Sequence, residues 1–286
     1  MRLFVFGYGY SARALAKRLT PRGWTVAATF REPGGEARLV AEGIEPVAVS
    51  DAGRIAAQMG AAQAVLITAP PTAQGCPALP ALVRPMARAG AFPDWIGYLS
   101  TTGVYGDRQG GWVFEQSRLA AQSAEGARRV AAERDWLEVG RGMGLTITLH
   151  RLPGIYGPGR SAFDRLREGR ARRVAAPGQV FSRIHVDDLA AGLEASIARP
   201  RAGGVYNLCD DEPAPNSQVV AHAATLLGIA PPPEETLDLD ALAPSARRFY
   251  AETKRVSNAL AKAELGWRPL YPTYREGLTA ILAAGG

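Results

Sequence analysis

The chain opens on an alternation of short apolar runs with stretches whose apolar residues recur at helical spacing. Leu3 to Phe6 is apolar throughout, too short for a helix and suited to a strand buried on both faces. Beyond residues 7–12, Leu15, Ala16 and Leu19 fall on one helical face, with Lys17 and Arg18 outside. The alternation continues along the chain. Strands are predicted at Thr25–Phe30, Val47–Val49, Ala64–Thr68, Trp95–Ser100 and Thr146–Leu152. Helices are predicted at Gly53–Met59, over a stretch reaching about Ala89, and at Leu189–Ala198. Strands and helices in turn, joined by short connections, predict an α/β fold built on a doubly wound parallel sheet.

The first strand runs into Gly7-Tyr8-Gly9-Tyr10-Ser11-Ala12 and then directly into the first helix. That context gives the pattern G-x-G-x-x-G/A its meaning. Gly7 allows a tight turn, Gly9 leaves room for a pyrophosphate against the backbone, and Ala12 lets the helix pack on the strand. Tyr10 and Ser11 lie in the first helical turn, whose free N–H groups and positive dipole end favour phosphate. The motif predicts a Rossmann-type dinucleotide site. Such sites choose their cofactor at the end of the second strand, where an acid would contact the ribose and repel a 2′-phosphate. Here the strand ends Thr29-Phe30-Arg31. A guanidinium pairs bidentately with phosphate, which favours NADP, while the adjacent Glu32 keeps NAD as the other candidate. Asp51 is either an adenine contact or the N-cap of the next helix. Thr68, Ala69 and Pro70, at the exit of the fourth strand, are expected to line the cofactor.

After the fifth strand come Leu99-Ser100-Thr101-Thr102-Gly103-Val104-Tyr105-Gly106. This segment resembles the extended short-chain dehydrogenase/reductase family, the group containing the NAD-dependent epimerases and dehydratases. Four further segments extend the resemblance in order. They are Arg151-Leu152-Pro153-Gly154-Ile155-Tyr156-Gly157-Pro158-Gly159, Arg183-Ile184-His185-Val186-Asp187-Asp188, Val205-Tyr206-Asn207-Leu208, and Leu265-Gly266-Trp267-Arg268-Pro269 with Glu276-Gly277-Leu278. The resemblance implies an active-site hydroxyl at Thr101, and a passage of Pro153 and Ile155 beside the nicotinamide. Tyr156, Arg160 and Arg183 are then expected at the substrate. It also implies a cofactor domain at residues 1–155 and 180–210, and a smaller α/β substrate domain at 156–179 and 211–286, with substrate in the cleft between them. Dimerisation through sheet-flanking helices follows by analogy alone.

The resemblance breaks where the family's chemistry normally rests, on Tyr-x-x-x-Lys with a Glu four residues later. Residues 125–133 fit that frame without gaps, placing Glu125 at the tyrosine, Arg129 at the lysine and Glu133 at the final acid. No tyrosine lies between Tyr105 and Tyr156. A guanidinium is permanently charged and cannot relay a proton, although Arg129 could bind a ribose or phosphate. Glu125 would serve as acid or base only if burial raised its pKa. Thr102 and Gly103 stand where dehydratases carry an Asp-Glu pair, which argues against sugar dehydration. Phe181 stands where epimerases hold a diphosphate-gripping arginine, with Arg183 two residues later, leaving that role to Arg160 and the arginines of 165–173. These features resemble an atypical branch that keeps the fold without the active-site tyrosine. Two functions follow as expectations: an oxidoreductase or epimerase-like enzyme in which Thr101 polarises the reacting oxygen, or a catalytically silent NADP-binding protein acting through a partner.

Composition adds exclusions. With 47% apolar and 21% charged residues, the 286-residue chain reads as globular, and no apolar run approaches the length of a membrane span. The simplest location is the cytoplasm. Cys76 and Cys209 are too few for a disulfide framework, and His150, His185 and His222 are scattered, so no metal site is expected. The net charge of +6 is dispersed, which argues against nucleic acid. One arginine cluster, Arg165, Arg167, Arg170, Arg172 and Arg173, is either a solvated face or an attraction for an anionic small-molecule substrate. Asp187 and Asp188 are expected to cap the helix that follows them.

Overall fold

The computed structural model describes residues 1–238, 247 and 250–286. The central layer is a seven-stranded sheet. Its strands are β1 (Arg2–Phe6), β2 (Thr25–Phe30), β3 (Glu45–Ala48), β4 (Ala64–Ile67), β5 (Trp95–Thr101), and two later strands at Ile147–Leu152 and Gly204–Asn207. From one edge the order is β3, β2, β1, β4, β5, then Ile147–Leu152 and Gly204–Asn207. The pairs β1·β2, β1·β4, β2·β3 and β4·β5 are all parallel. The strand order reverses between β1 and β4, the crevice where sheets of this kind bind nucleotides.

Apolar burial explains the sheet. Leu3, Phe4 and Val5 of β1 and all four residues of β4 are sealed from solvent. Each fully buried large side chain contributes about 1.5–3 kcal/mol relative to exposure. Helix α1 (Tyr10–Leu19) buries Ala12, Leu15, Ala16 and Leu19, the face read from the sequence. Helix α2 (Gly35–Ala41) escapes the sequence reading. It is about two turns long, follows Pro33-Gly34, and buries little beyond Leu39.

The chain forms two compact units. The first comprises Met1–Thr101, Ala124–Arg151 and Ala190–Tyr206; the second comprises Thr102–Ser123, Leu152–Leu189 and Asn207–Gly286. Residues 102–123, 152–155, 180–189 and 207–210, assigned to the cofactor domain from the sequence, thus cluster with the second unit. That unit is built on short parallel pairs: Gly154–Tyr156 with Arg183–His185, Trp112–Val113 with Arg255–Val256, and Arg173–Ala175 with Glu234–Thr236. A second apolar core of Phe163, Val219, Ala223, Tyr274, Leu278 and Ile281 consolidates it.

Asp187 and Asp188 lie within the first turn of the helix Val186–Ala198 rather than at its cap, and Asp188 instead fastens a distant segment. Its carboxylate accepts the backbone N–H groups of Leu270 (2.6 Å) and Tyr271 (3.0 Å), and its carbonyl accepts the Trp267 indole at 3.1 Å. The Leu-Gly-Trp segment near the C-terminus docks on this one residue. Most of the arginine cluster is occupied by its own surroundings. Arg170 pairs with Glu168, Arg172 with Glu235 and Arg173 with Glu234, while Arg167 donates to the Gly286 carbonyl. Among the described residues no helix is long and apolar enough to cross a membrane, and no group of three metal-ligating side chains occurs.

Candidate functional site

In the first unit the chemistry gathers at the carboxyl ends of the strands. β1 ends on Gly7, whose φ of +92° lies in the left-handed region that a side chain strains. A Cβ there would also sit 3.0 Å from the Ala69 nitrogen and the Thr68 hydroxyl. The Gly7 N–H donates to the Thr29 hydroxyl at 2.8 Å, and the Thr68 hydroxyl donates to the Gly7 carbonyl. The turn is thereby tied to the exits of β2 and β4. Thr68 therefore uses its hydroxyl to fix the turn; Ala69 beside it is half-buried and Pro70 exposed.

Gly9 stands at the N-cap of α1 and offers no side-chain cap. Nothing lies within 4 Å of the point its Cβ would occupy, so the backbone is open there. Tyr10 and Ser11 are half-buried in the first turn, which contains no acidic residue. These residues fit a dinucleotide pyrophosphate: an uncapped positive helix end, an open glycine, and no carboxylate to repel the phosphates.

Around this turn the predicted cofactor residues differ in how they are held. The Arg31 side chain is 81% exposed at the end of β2 and lies 3.2 Å from Glu32. Asp51 caps helix α3 (Ala52–Ala61), accepting the Arg54 N–H at 2.9 Å. Of its two sequence readings, the structure displays the cap.

The largest departure lies on helix α4, the long helix Ala124–Met143 that carries the relay frame. Glu125 is exposed in its first turn, so the burial that an acid or base role requires is lacking. Arg129 is turned onto β5. Its Nη1 donates to the Leu99 carbonyl and lies 3.5 Å from the Tyr98 hydroxyl, with the guanidinium 5.8 Å from the Tyr98 ring centre. One turn on, Glu133 is 2% exposed. It accepts the Ser100 hydroxyl at 2.5 Å and the Arg151 guanidinium through Nη2 at 2.8 Å and Nε at 3.1 Å. The sequence reading noted Glu133 only as the last member of a frame and missed its junction with Arg151. The available signal was spacing, since Arg129 and Glu133 are four apart and share a helix face.

Thr101 is half-buried at the end of β5, where the chain passes into a tight 3₁₀ turn over Thr102–Tyr105. Tyr105 does not substitute for the missing relay: it is fully buried and its hydroxyl donates to Asn207 Oδ1 at 2.7 Å. His150 lies in the sheet and is fully buried, with Nε2 3.0 Å from the Ser196 hydroxyl, which also accepts the Trp95 indole at 3.1 Å. Burial pushes its pKa down to about 3.

In the second unit, Pro153 and Ile155 are half-buried, and Ile155 pairs in register with Ile184. The predicted substrate residues Tyr156 and Arg183 turn into this unit's own interior. The Tyr156 hydroxyl lies 3.5 Å from the Thr273 carbonyl, and a Cβ on Gly277 would come within 2.0 Å of it. Its ring meets His185 edge-on at 5.3 Å, and burial raises its pKa. Arg183 is buried, donates through Nη2 to the Ala214 carbonyl at 3.1 Å, and leaves Nη1 without a hydrogen-bond partner among the described residues. Asp210 donates its backbone N–H to the Arg183 carbonyl at 2.7 Å, yet neither of its buried carboxylate oxygens has a hydrogen-bond partner among the described residues. Burial raises its pKa well above the usual carboxylate range, and the nearby Arg183 charge opposes that shift. Arg160 is exposed in a turn closed by its N–H to the Gly157 carbonyl at 3.0 Å.

Comparison with known proteins follows this geometry. No protein-family model matches the chain. A stretch of 135 residues is 36% identical to a 3-diazoavenalumate denitrifying reductase from a Streptomyces species. That match spans 43% of this chain and 43% of that protein, less than half of either. Among solved structures, a functionally unknown conserved protein from Silicibacter pomeroyi is 45% identical, with a TM-score of 0.89 and 99% of both chains covered. The dTDP-glucose 4,6-dehydratase of Bacillus anthracis, solved in complex with NAD, is 17% identical with a TM-score of 0.80. That alignment covers 99% of this chain and 96% of the dehydratase, and at such identity it establishes a common fold.

Proposed function

We infer that this chain, which belongs to the extended short-chain dehydrogenase/reductase family by its ordered motifs and its fold, is a nicotinamide-dependent oxidoreductase whose hydride acceptor draws no proton from a side-chain relay. One observation carries this reading: the relay frame on α4 offers an exposed Glu125 and an Arg129 already bonded to the Leu99 carbonyl. The glycine turn supports the cofactor half of the reading. Gly7, Gly9 and the first turn of α1 would hold the pyrophosphate, and Arg31 would receive a 2′-phosphate once it exchanged Glu32 for that stronger bidentate partner. NADP is therefore favoured over NAD.

When bound, the nicotinamide supplies hydride. Thr101 would orient and polarise the acceptor from the end of β5. An acceptor that is already cationic suits such a site. An aryldiazonium plus hydride gives the arene and dinitrogen, with atoms and charge balanced and no proton exchanged. The reductase named above motivates this class, although its match covers less than half of that protein. A carbonyl acceptor would instead take its proton from water.

The test is a fluorescence titration with NADPH and NADH, in parallel with Arg31→Ala, followed by turnover on an aryldiazonium salt and a carbonyl panel. Expected are an NADPH preference lost in Arg31→Ala, and dinitrogen release matching NADPH oxidation that falls in Thr101→Ala. Binding without turnover on any acceptor would reject the enzyme reading in favour of a silent cofactor-binding protein. Binding of neither nucleotide would reject both.

A further inference from the structure

The helix that carries a proton relay in the family's usual pattern presents a different device here. Arg129 and Glu133 lie one turn apart on the face that meets the sheet, and both act on the carboxyl end of β5. Arg129 holds the Leu99 carbonyl, and Glu133 holds the hydroxyl of Ser100, the residue immediately before Thr101. Glu133 also receives two donors of Arg151, at the end of the neighbouring strand Ile147–Leu152. Two residues beyond Arg151 is Pro153, expected beside the nicotinamide. One carboxylate thus fastens both strand ends that deliver the nicotinamide-side residues.

We propose that Glu133 is a positioning residue for the nicotinamide end of the cofactor, acting through Ser100 and Arg151 rather than by touching the ligand. The inference rests on the cofactor reading above. The choice of groups supports it. A packed apolar pair could fill the same space, but a buried carboxylate brings a desolvation cost that only good geometry offsets. It is met here by a bidentate guanidinium and a hydroxyl, which fix direction as well as distance. Directional fixing matters at this place because small displacements of positioned groups cost large factors in binding and rate. The glycine turn that would hold the pyrophosphate is fastened separately, through Thr29 and Thr68.

That separation provides the test. Affinities for NADPH and for 2′-phospho-ADP-ribose, which lacks the nicotinamide, are measured by calorimetry in the wild type, Glu133→Gln and Ser100→Ala. Positioning predicts about tenfold weaker NADPH binding in Glu133→Gln. A smaller loss in the same direction is expected in Ser100→Ala, with 2′-phospho-ADP-ribose affinity unchanged in both. A bridge that only stabilises the fold would weaken both ligands together or neither, and either outcome overturns the proposal. If Glu133→Gln fails to fold, Ser100→Ala decides alone, and an unchanged ratio of the two affinities rejects the inference. Wild-type protein that binds neither ligand overturns the cofactor reading, and this inference with it.

Discussion

Each unit buries an arginine and a carboxylate close together, and the two couples are finished differently. In the first unit Glu133 and Arg151 meet at 2.8 Å, and Ser100 supplies a further donor to the carboxylate. In the second unit Arg183 and Asp210 are neighbours through their backbones, but Arg183 Nη1 and both Asp210 carboxylate oxygens lack hydrogen-bond partners among the described residues. Burial penalises both couples, and only the first is compensated by directed hydrogen bonds. The difference teaches that a buried charge is a fastening only when its lone pairs and protons are used. Where they are not, it is a local cost that the rest of the unit carries, or a place where water or substrate completes the bonding.

The comparison breaks most sharply at Arg151. Arg151→Met leaves Glu133 charged and buried, and should cost about 3–5 kcal/mol in urea unfolding at neutral pH. A loss below about 1 kcal/mol would show that the first couple is no better made than the second.

A second measurement uses His150, the residue before Arg151, which is neutral and buried in the sheet. Its pKa falls from 6.5 to about 3 on folding, so between those values the unfolded chain binds a proton that the folded chain refuses. Its contribution to stability is undiminished above pH 6.5 and falls as pH drops, by about 1.4 kcal/mol per unit. Unfolding at pH 7 and pH 5 should therefore show about 2 kcal/mol of acid loss from this one group. The slope should flatten by about one proton in His150→Gln. An unchanged slope would place the acid sensitivity elsewhere.

Asp51 gives the scale of an exposed bond. Asp51→Ala should cost about 1 kcal/mol through loss of the α3 cap. A simultaneous loss of dinucleotide affinity would add the adenine role that the sequence left open. The smallest expected effect is the most informative about the second couple. The double variant Arg183→Met with Asp210→Asn removes both poorly bonded groups, and thermal unfolding should shift by no more than about 1 kcal/mol. Arg183→Met alone, which strands Asp210, should cost several times that. A double variant as damaged as the single one would mean that Asp210 and Arg183 are better satisfied than their geometry indicates.

Much of the first unit was legible because its signals are local. The run Leu3–Phe6, the spacing of Gly7, Gly9 and Ala12, and the apolar face of α1 are read within twenty residues. The sheet order follows from the rule that such strands reverse direction of growth at one crevice. What was illegible depends on partners distant along the chain. Glu133 and Arg151 are 18 residues apart, and Asp188 meets Leu270 across 82. Arg129 was readable as a cation but not as a bond to the Leu99 carbonyl, because only packing sets the direction of a long side chain. Tyr156 and Arg183 were placed at a substrate by resemblance, whereas their neighbours Gly277, Thr273 and Ala214 come from segments that the motifs do not link to them.

The interleaving of the two units bears on how the chain is made. Each unit is assembled from three separated segments, and the first is complete only when residue 206 has been synthesised. The last strand of the sheet, Gly204–Asn207, arrives after two excursions into the other unit. At translation rates of about 5–20 residues per second, β1 to β5 wait several seconds for the remaining strands. During that interval the edge of β5 carries unpaired backbone groups, the kind of surface that recruits chaperones or other nascent chains. Expression yield should therefore respond to translation speed beyond codon 101 more than to speed before it.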